Sequence, residues 1–172
     1  MAIENQKEVD RYIKVKTVPG VEKNFTPGKT WTPLQTQWGK IGVLICFESI
    51  YPSAGRQLGL NGAELLIVLS NDAGFGLTPI SHHMSNRARI RAIELGRWIV
   101  RVGQAGISFI GSPYGQLTHR LSLFKAGLVK GKVEMIQEKT GFIRWGHSWL
   151  ILFALALPLP WFFGLKQEHF WS

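Results

Sequence analysis

Cys46 is the chain's one cysteine, and it closes the apolar run Ile41-Gly42-Val43-Leu44-Ile45. A short run of this kind, rich in β-branched residues, reads as a buried strand. Glu48 follows two residues after the cysteine, and Pro52 then opens a helix at its first turn. Strand, cysteine, tight turn and helix together hold one side chain rigidly at the edge of a sheet. A nucleophile gains from that rigidity, because fixed positioning removes part of the entropic barrier. A lone cysteine also serves as a small buried hydrophobe, and strand placement alone does not separate the two roles. Other chemistry-bearing residues fit less well. His82 and His83 are adjacent, so on a helix they do not face each other. One cysteine gives no zinc spacing, and no metal or cofactor site is expected. Arg87, Arg89 and Arg91 spread around a helix instead of forming a stripe. They read as structural arginines with Glu94 and Glu64 as partners, and no nucleic-acid partner is expected.

The elements that must hold Cys46 follow from the same patterning. Residues 1 to 11 are polar and expected to be frayed. Tyr12 to Pro19 alternates like a half-buried strand, and a Pro27-Gly28 turn lies in the loop after it. A strand over 31–38 leads by a turn at Gly39-Lys40 into the Cys46 strand. Pro52 to Leu60 is a helix with Asn61-Gly62 as its C-cap, and Glu64 to Leu69 a second buried strand. Thr78 caps a helix that starts at Pro79 and stops at Gly96. Strands follow at Arg97–Val102, Gly106–Gly111 and Gln116–Leu123, with a hairpin turn at Pro113-Tyr114-Gly115, and then an extended segment over Lys125–Ile136. The body is a two-layer α/β arrangement.

The chain has 172 residues, enough for one ordinary domain, and 45% of them are hydrophobic, so a packed core is expected and disorder is not. The formal charge is +9, which suits anionic lipid headgroups or nucleic acid. Residues 1 to 17 are charged and lack a continuous apolar core, so no signal peptide is expected. Ser148 to Leu165 differs in kind: 18 positions carry no charge, with Trp149 and Trp161 near the ends. That is the minimum length of a membrane span with interfacial anchors.

Gly42-Val43-Leu44-Ile45-Cys46-Phe47-Glu48-Ser49-Ile50-Tyr51-Pro52 resembles the nucleophile segment of the nitrilase superfamily, and within it the apolipoprotein N-acyltransferases of bacterial membranes. Tyr12-Ile13-Lys14 with Val18-Pro19 resembles the lysine segment of that family. Glu22 matches an acidic residue after it, with Gly20-Val21 where Phe-Gly is usual. Asn71-Asp72-Ala73-Gly74-Phe75-Gly76 resembles the loop Asn-Asp-Ala-Trp-Phe-Gly, Gly74 standing for the tryptophan. Phe47 stands where a tyrosine is usual, which removes a hydroxyl from the pocket edge. Arg91-Ala92-Ile93-Glu94-Leu95-Gly96-Arg97 resembles the helix end that follows.

The resemblance implies the C-terminal part of a nitrilase-like α-β-β-α sandwich over residues 1–145, one transmembrane helix over 148–165 and a tail over 166–172. It implies Cys46 as nucleophile, Lys14 as oxyanion stabiliser, and Glu22 and Glu48 in support. The implied reaction moves an acyl group from a phospholipid donor through a cysteine thioester to the N-terminal amine of a lipidated apolipoprotein. The implied setting is the inner membrane, with the nitrilase-like domain on the periplasmic side. Counting Lys130, Lys132, Lys139 and Arg144 before the span against Lys166 after it gives the opposite orientation. The family's general-base glutamate lies well upstream of its lysine, and neither Glu4 nor Glu8 fits that place. Loss of positioned acid–base help costs on the order of a hundred- to ten-thousand-fold, so the chain alone is expected to be nearly inactive although its nucleophile is in place. The rival readings are an amidase acting on a small amide with water, and a membrane-anchored remnant without turnover.

Overall fold

The computed structural model describes residues 2–4 and 7–156. Strands β1 (Ala2–Glu4) and β2 (Lys7–Asp10) pair antiparallel, in a stretch whose polar composition suggested fraying. The body of the chain runs β3 (Leu34–Thr36), β4 (Gly39–Ile45), α1 (Pro52–Leu60), β5 (Leu65–Asn71), α2 (Ile80–Leu95), β6 (Trp98–Gln104), β7 (Ser108–Gly111) and β8 (Leu117–Leu121). Two short helices follow, α3 (Gly141–Trp145) and α4 (Trp149–Ala156).

Strands β3 to β8 form one mixed sheet in sequence order. β4, β5 and β6 are mutually parallel, and the outer strands attach antiparallel. This is the two-layer α/β arrangement expected for the body. Leu44, Leu66, Val68 and Ile99 point from the sheet into a fully buried core, where they meet Leu58 of α1, Ala88, Ala92 and Leu95 of α2, and Ile143 of α3. Gly59 lets α1 and α3 approach, since a Cβ there would lie 2.9 Å from Ile143. α2 ends where Gly96 takes a left-handed conformation (φ 60°), the backbone state in which glycine carries no Cβ penalty.

Several expectations are corrected. Tyr12–Pro19 forms no strand; the backbone N–H groups of Val15 and Lys16 donate to the Glu48 carboxylate instead of to a neighbouring strand. The turn before β4 falls at Gln37-Trp38, because Gly39 already pairs with Thr36. Thr78 does not cap α2: its hydroxyl donates back to the Phe75 carbonyl at 2.7 Å. Lys125–Ile136 carries no assigned strand, although Ile136 N–H donates to the Glu64 carbonyl. Among the arginines of α2, Arg91 pairs with Glu94 as expected, whereas Glu64 accepts from Gln137. Of the expected span 148–165, α4 is described and residues 157–165 lie outside the described residues. Among the described residues no helix is long and apolar enough to cross a membrane.

Candidate active site

β4, β5 and β6 end together at one rim of the sheet, and a cleft of about 900 Å³ opens there. Ligands in open α/β sheets gather at the carboxyl ends of parallel strands. Ile45 and Cys46 line the cleft from β4, Leu69, Ser70 and Asn71 from β5, and Val102 and Gln104 from β6. Lys14 and Glu22 enter from the irregular segment that precedes β3. The structure thus brings Cys46, Lys14 and Glu22 to one cavity.

Cys46 opens a 3₁₀ turn over Cys46–Ile50 and has φ 52°. A non-glycine residue held there costs about 1–2 kcal/mol, and such strain persists only where the surroundings over-determine it. Two bonds fix the turn: Ser49 Oγ donates to the Cys46 carbonyl at 2.9 Å, and Ile45 N–H donates to Glu48 at 2.8 Å. The reversal lifts Cys46 off the end of the strand, half-buried and facing the cleft.

Glu48 is fully buried and does not line the cleft. Its carboxylate accepts from Tyr12 OH (2.9 Å), Val15 N–H (2.7 Å), Lys16 N–H (3.0 Å), Trp31 Nε1 (3.3 Å) and Ile45 N–H (2.8 Å). These five donors tie the Lys14 segment and Trp31 to the turn that carries Cys46. Burial, and then the Glu48 charge beside it, push the Tyr12 hydroxyl well above the ordinary tyrosine range, so Tyr12 stays a donor. Phe47 packs edge-on against Tyr51 with ring centroids 5.4 Å apart, away from the cleft lining, so the hydroxyl it lacks is not one at the pocket edge.

Lys14 Nζ donates to both oxygens of Glu22 at 2.7 Å, and Val18 N–H donates to Glu22 Oε2 at 2.7 Å. Burial works against the Glu22 charge, but the hydrogen bonds from Lys14 and Val18 and the lysine's charge outweigh it, so the carboxyl titrates below its ordinary range. A depressed folded-state pKa stabilises above the unfolded value and is lost as pH falls through the folded value. Glu22→Gln is accordingly expected to lower stability by about 1–2 kcal/mol at neutral pH. The difference from wild type should shrink as pH falls below the unfolded carboxylate range and vanish below the folded value. Paired melting curves from pH 7 to pH 3 measure this; a constant difference would mean that the ion pair contributes nothing.

On the far side of the cleft Asp72 and Arg101 form a fully buried pair, with Nη2 to Oδ2 at 2.8 Å. Arg101 Nη1 also donates to the Ile107 carbonyl. The pair anchors the start of the loop that brings Asn71 and Phe75 to the cavity. Gly74, where the resemblance places tryptophan, faces open space, with nothing within 4 Å of a Cβ built there. Tyr12, Trp31 and Arg101 escaped sequence reasoning, since their partners lie 36, 17 and 29 residues away.

The carbon-nitrogen hydrolase family matches residues 1–139. An apolipoprotein N-acyltransferase of Azotobacter vinelandii is 33% identical over 141 residues, 80% of this chain and 27% of that protein. The crystal structure of a carbon-nitrogen hydrolase from Helicobacter pylori G27 superposes with a TM-score of 0.57 at 25% identity, covering 64% of this chain and 47% of that one. A mutant of the amidase from Nesterenkonia sp. AN1, with the acetamide moiety of fluoroacetamide added covalently at its active site cysteine, gives 0.52 at 25% identity, covering 65% and 45%. The chain spans less than a third of the length of the curated relatives it matches.

Proposed function

Since the chain belongs to the carbon-nitrogen hydrolase family, we propose that Cys46 is the nucleophile of an acyl transfer from a phospholipid to the N-terminal amine of a lipidated apolipoprotein. The supporting observation is the convergence of Cys46, Lys14 and Glu22 on one cleft, together with the similarity to the apolipoprotein N-acyltransferases. The Cys46 thiolate attacks the ester carbonyl, and the tetrahedral oxyanion draws on the Lys14 ammonium, which Glu22 holds in place. Collapse expels the lysophospholipid oxygen, which takes up a proton, and leaves an acyl thioester on Sγ. The acceptor α-amine then attacks the thioester, loses a proton and returns the thiol. In the family, proton transfer belongs to a glutamate upstream of the lysine. Val18, Val21, Leu69, Val102 and Leu121 give the cleft apolar walls suited to an acyl chain. The membrane setting of this reading, on the periplasmic side of the inner membrane, rests on the tract 148–165 and on the relatives.

The test is single-turnover acylation. The detergent-solubilised chain is incubated with dipalmitoyl-phosphatidylethanolamine, and peptides are weighed by mass spectrometry. A palmitoyl thioester on the Cys46 peptide, removed by hydroxylamine, is expected. A chain that acylates Cys46 from butyramide and never from the phospholipid would belong with the amidases instead.

A further inference from the structure

A second cavity, of about 790 Å³, shares no lining residue with the Cys46 cleft. It lies between the first turns of α1 and the junction of α3 and α4. Arg56 and His147 line it, with Trp31, Trp145 and Ile151 around them, and no carboxylate is among its walls. Arg56 Nη2 donates to the Arg144 carbonyl at 2.9 Å. Its Nε is shielded from solvent and has no partner, and among the described residues no carboxylate pairs with this guanidinium. Gly146, at φ 58°, lets the backbone close on the arginine; a Cβ there would lie 2.9 Å from Nε. A partly buried cation without a counter-ion is a poor end state, and it calls for an anion.

The walls say which anion. The uncharged tract starts at Ser148, itself part of the lining. Trp145, Trp149, Ile151 and Phe153 are all at least half exposed along α3 and α4. Tryptophans at the start of an apolar tract mark a headgroup level, and Arg144 adds positive charge beside Trp145. A guanidinium there matches a phosphate with its planar fork. We propose that this cavity binds the phosphodiester headgroup of an anionic phospholipid, with the lipid tails lying against α4.

The proposal rests on the membrane setting of the preceding section and not on thiol chemistry. Flotation of the full 172-residue chain with phosphatidylcholine vesicles tests that setting alone, and failure to float would remove it. The site is tested in detergent by titrating the chain with short-chain dihexanoyl-phosphatidylglycerol, dihexanoyl-phosphatidylcholine and inorganic phosphate. The phosphatidylglycerol should bind about tenfold tighter than the phosphatidylcholine, as one charge-assisted pair allows. Arg56→Gln should erase that preference, Arg56→Lys should keep most of it, and Arg144→Gln should change it by less than about threefold, as a diffuse surface charge does. Equal losses in Arg56→Gln and Arg144→Gln would overturn the site. Inorganic phosphate binding as tightly as the lipid would overturn its assignment to a headgroup.

Discussion

Replacing Cys46 by alanine is expected to abolish the acyl adduct while leaving the fold intact. Loss of a nucleophile costs on the order of 10⁴–10⁶-fold where no other group can take its place. No second thiol exists in the chain, and Ser49, the nearest hydroxyl in the turn, is committed to the Cys46 carbonyl. Stability should hardly change, because alanine meets the same left-handed backbone at φ 52°. Cys46→Gly should even raise stability by about 1 kcal/mol, since glycine carries no Cβ penalty there. Thiol-peptide mass spectrometry and melting curves on both variants read the two effects separately. An adduct that survives in Cys46→Ala would remove this residue from the chemistry.

The second large effect is expected at Glu48, although it never touches the cleft. Its carboxylate is the common acceptor for five donors from three stretches of chain. Glu48→Ala strands those donors, and an unpaired buried polar group costs about 1–3 kcal/mol. Even partial relief by rearrangement leaves a loss of several kcal/mol, a large part of a domain's total stability. Glu48→Gln is the sharper probe. It keeps one acceptor oxygen but turns the other toward Tyr12 or the backbone N–H groups as an amide donor. Acylation should fall about a hundredfold in the folded Glu48→Gln protein, because Lys14 loses its fixed place in the Cys46 cleft. Hydrogen exchange at Val15, Lys16 and Ile45 should speed up together, while amides of β5 and β6 stay protected. Unchanged exchange at Val15 and Lys16 would show that the carboxylate does not hold this segment.

The parts of the fold that could be read in the sequence are those governed by short-range rules. β4 and β5 announced themselves as β-branched runs, α1 by Pro52 and Asn61-Gly62, and α2 by its stop at Gly96. The convergence of Lys14 and Glu22 on Cys46 came from resemblance to a family, because nothing in spacing ties residue 14 to residue 46. Where alternation suggested a strand at Tyr12–Pro19, a single remote carboxylate captured the N–H groups that a ladder would have used. Asp72 and Arg101 were equally opaque. Each is an ordinary polar residue in its own window, and only the parallel pairing of β5 with β6 puts them in contact.

The stretch from Arg11 to Pro33 has no helix or strand, and its holds on the body include the Glu48 clamp, the bond from Asn61 Nδ2 to the Trp31 carbonyl and the packing of Trp31 against the core. Segments held by few contacts open at a free energy below that of the whole fold. The ladders of the β3–β8 sheet include no residue of this strap, while Lys14 rides on it. With the roles proposed for Cys46 and Lys14, catalytic competence and foldedness become separate thermodynamic quantities. A population of intact molecules with the strap undocked would carry a thiol without its cation, so heat inactivation is expected to precede melting, and trypsin to cut at Lys16, Lys23 and Lys29 while the core is still native.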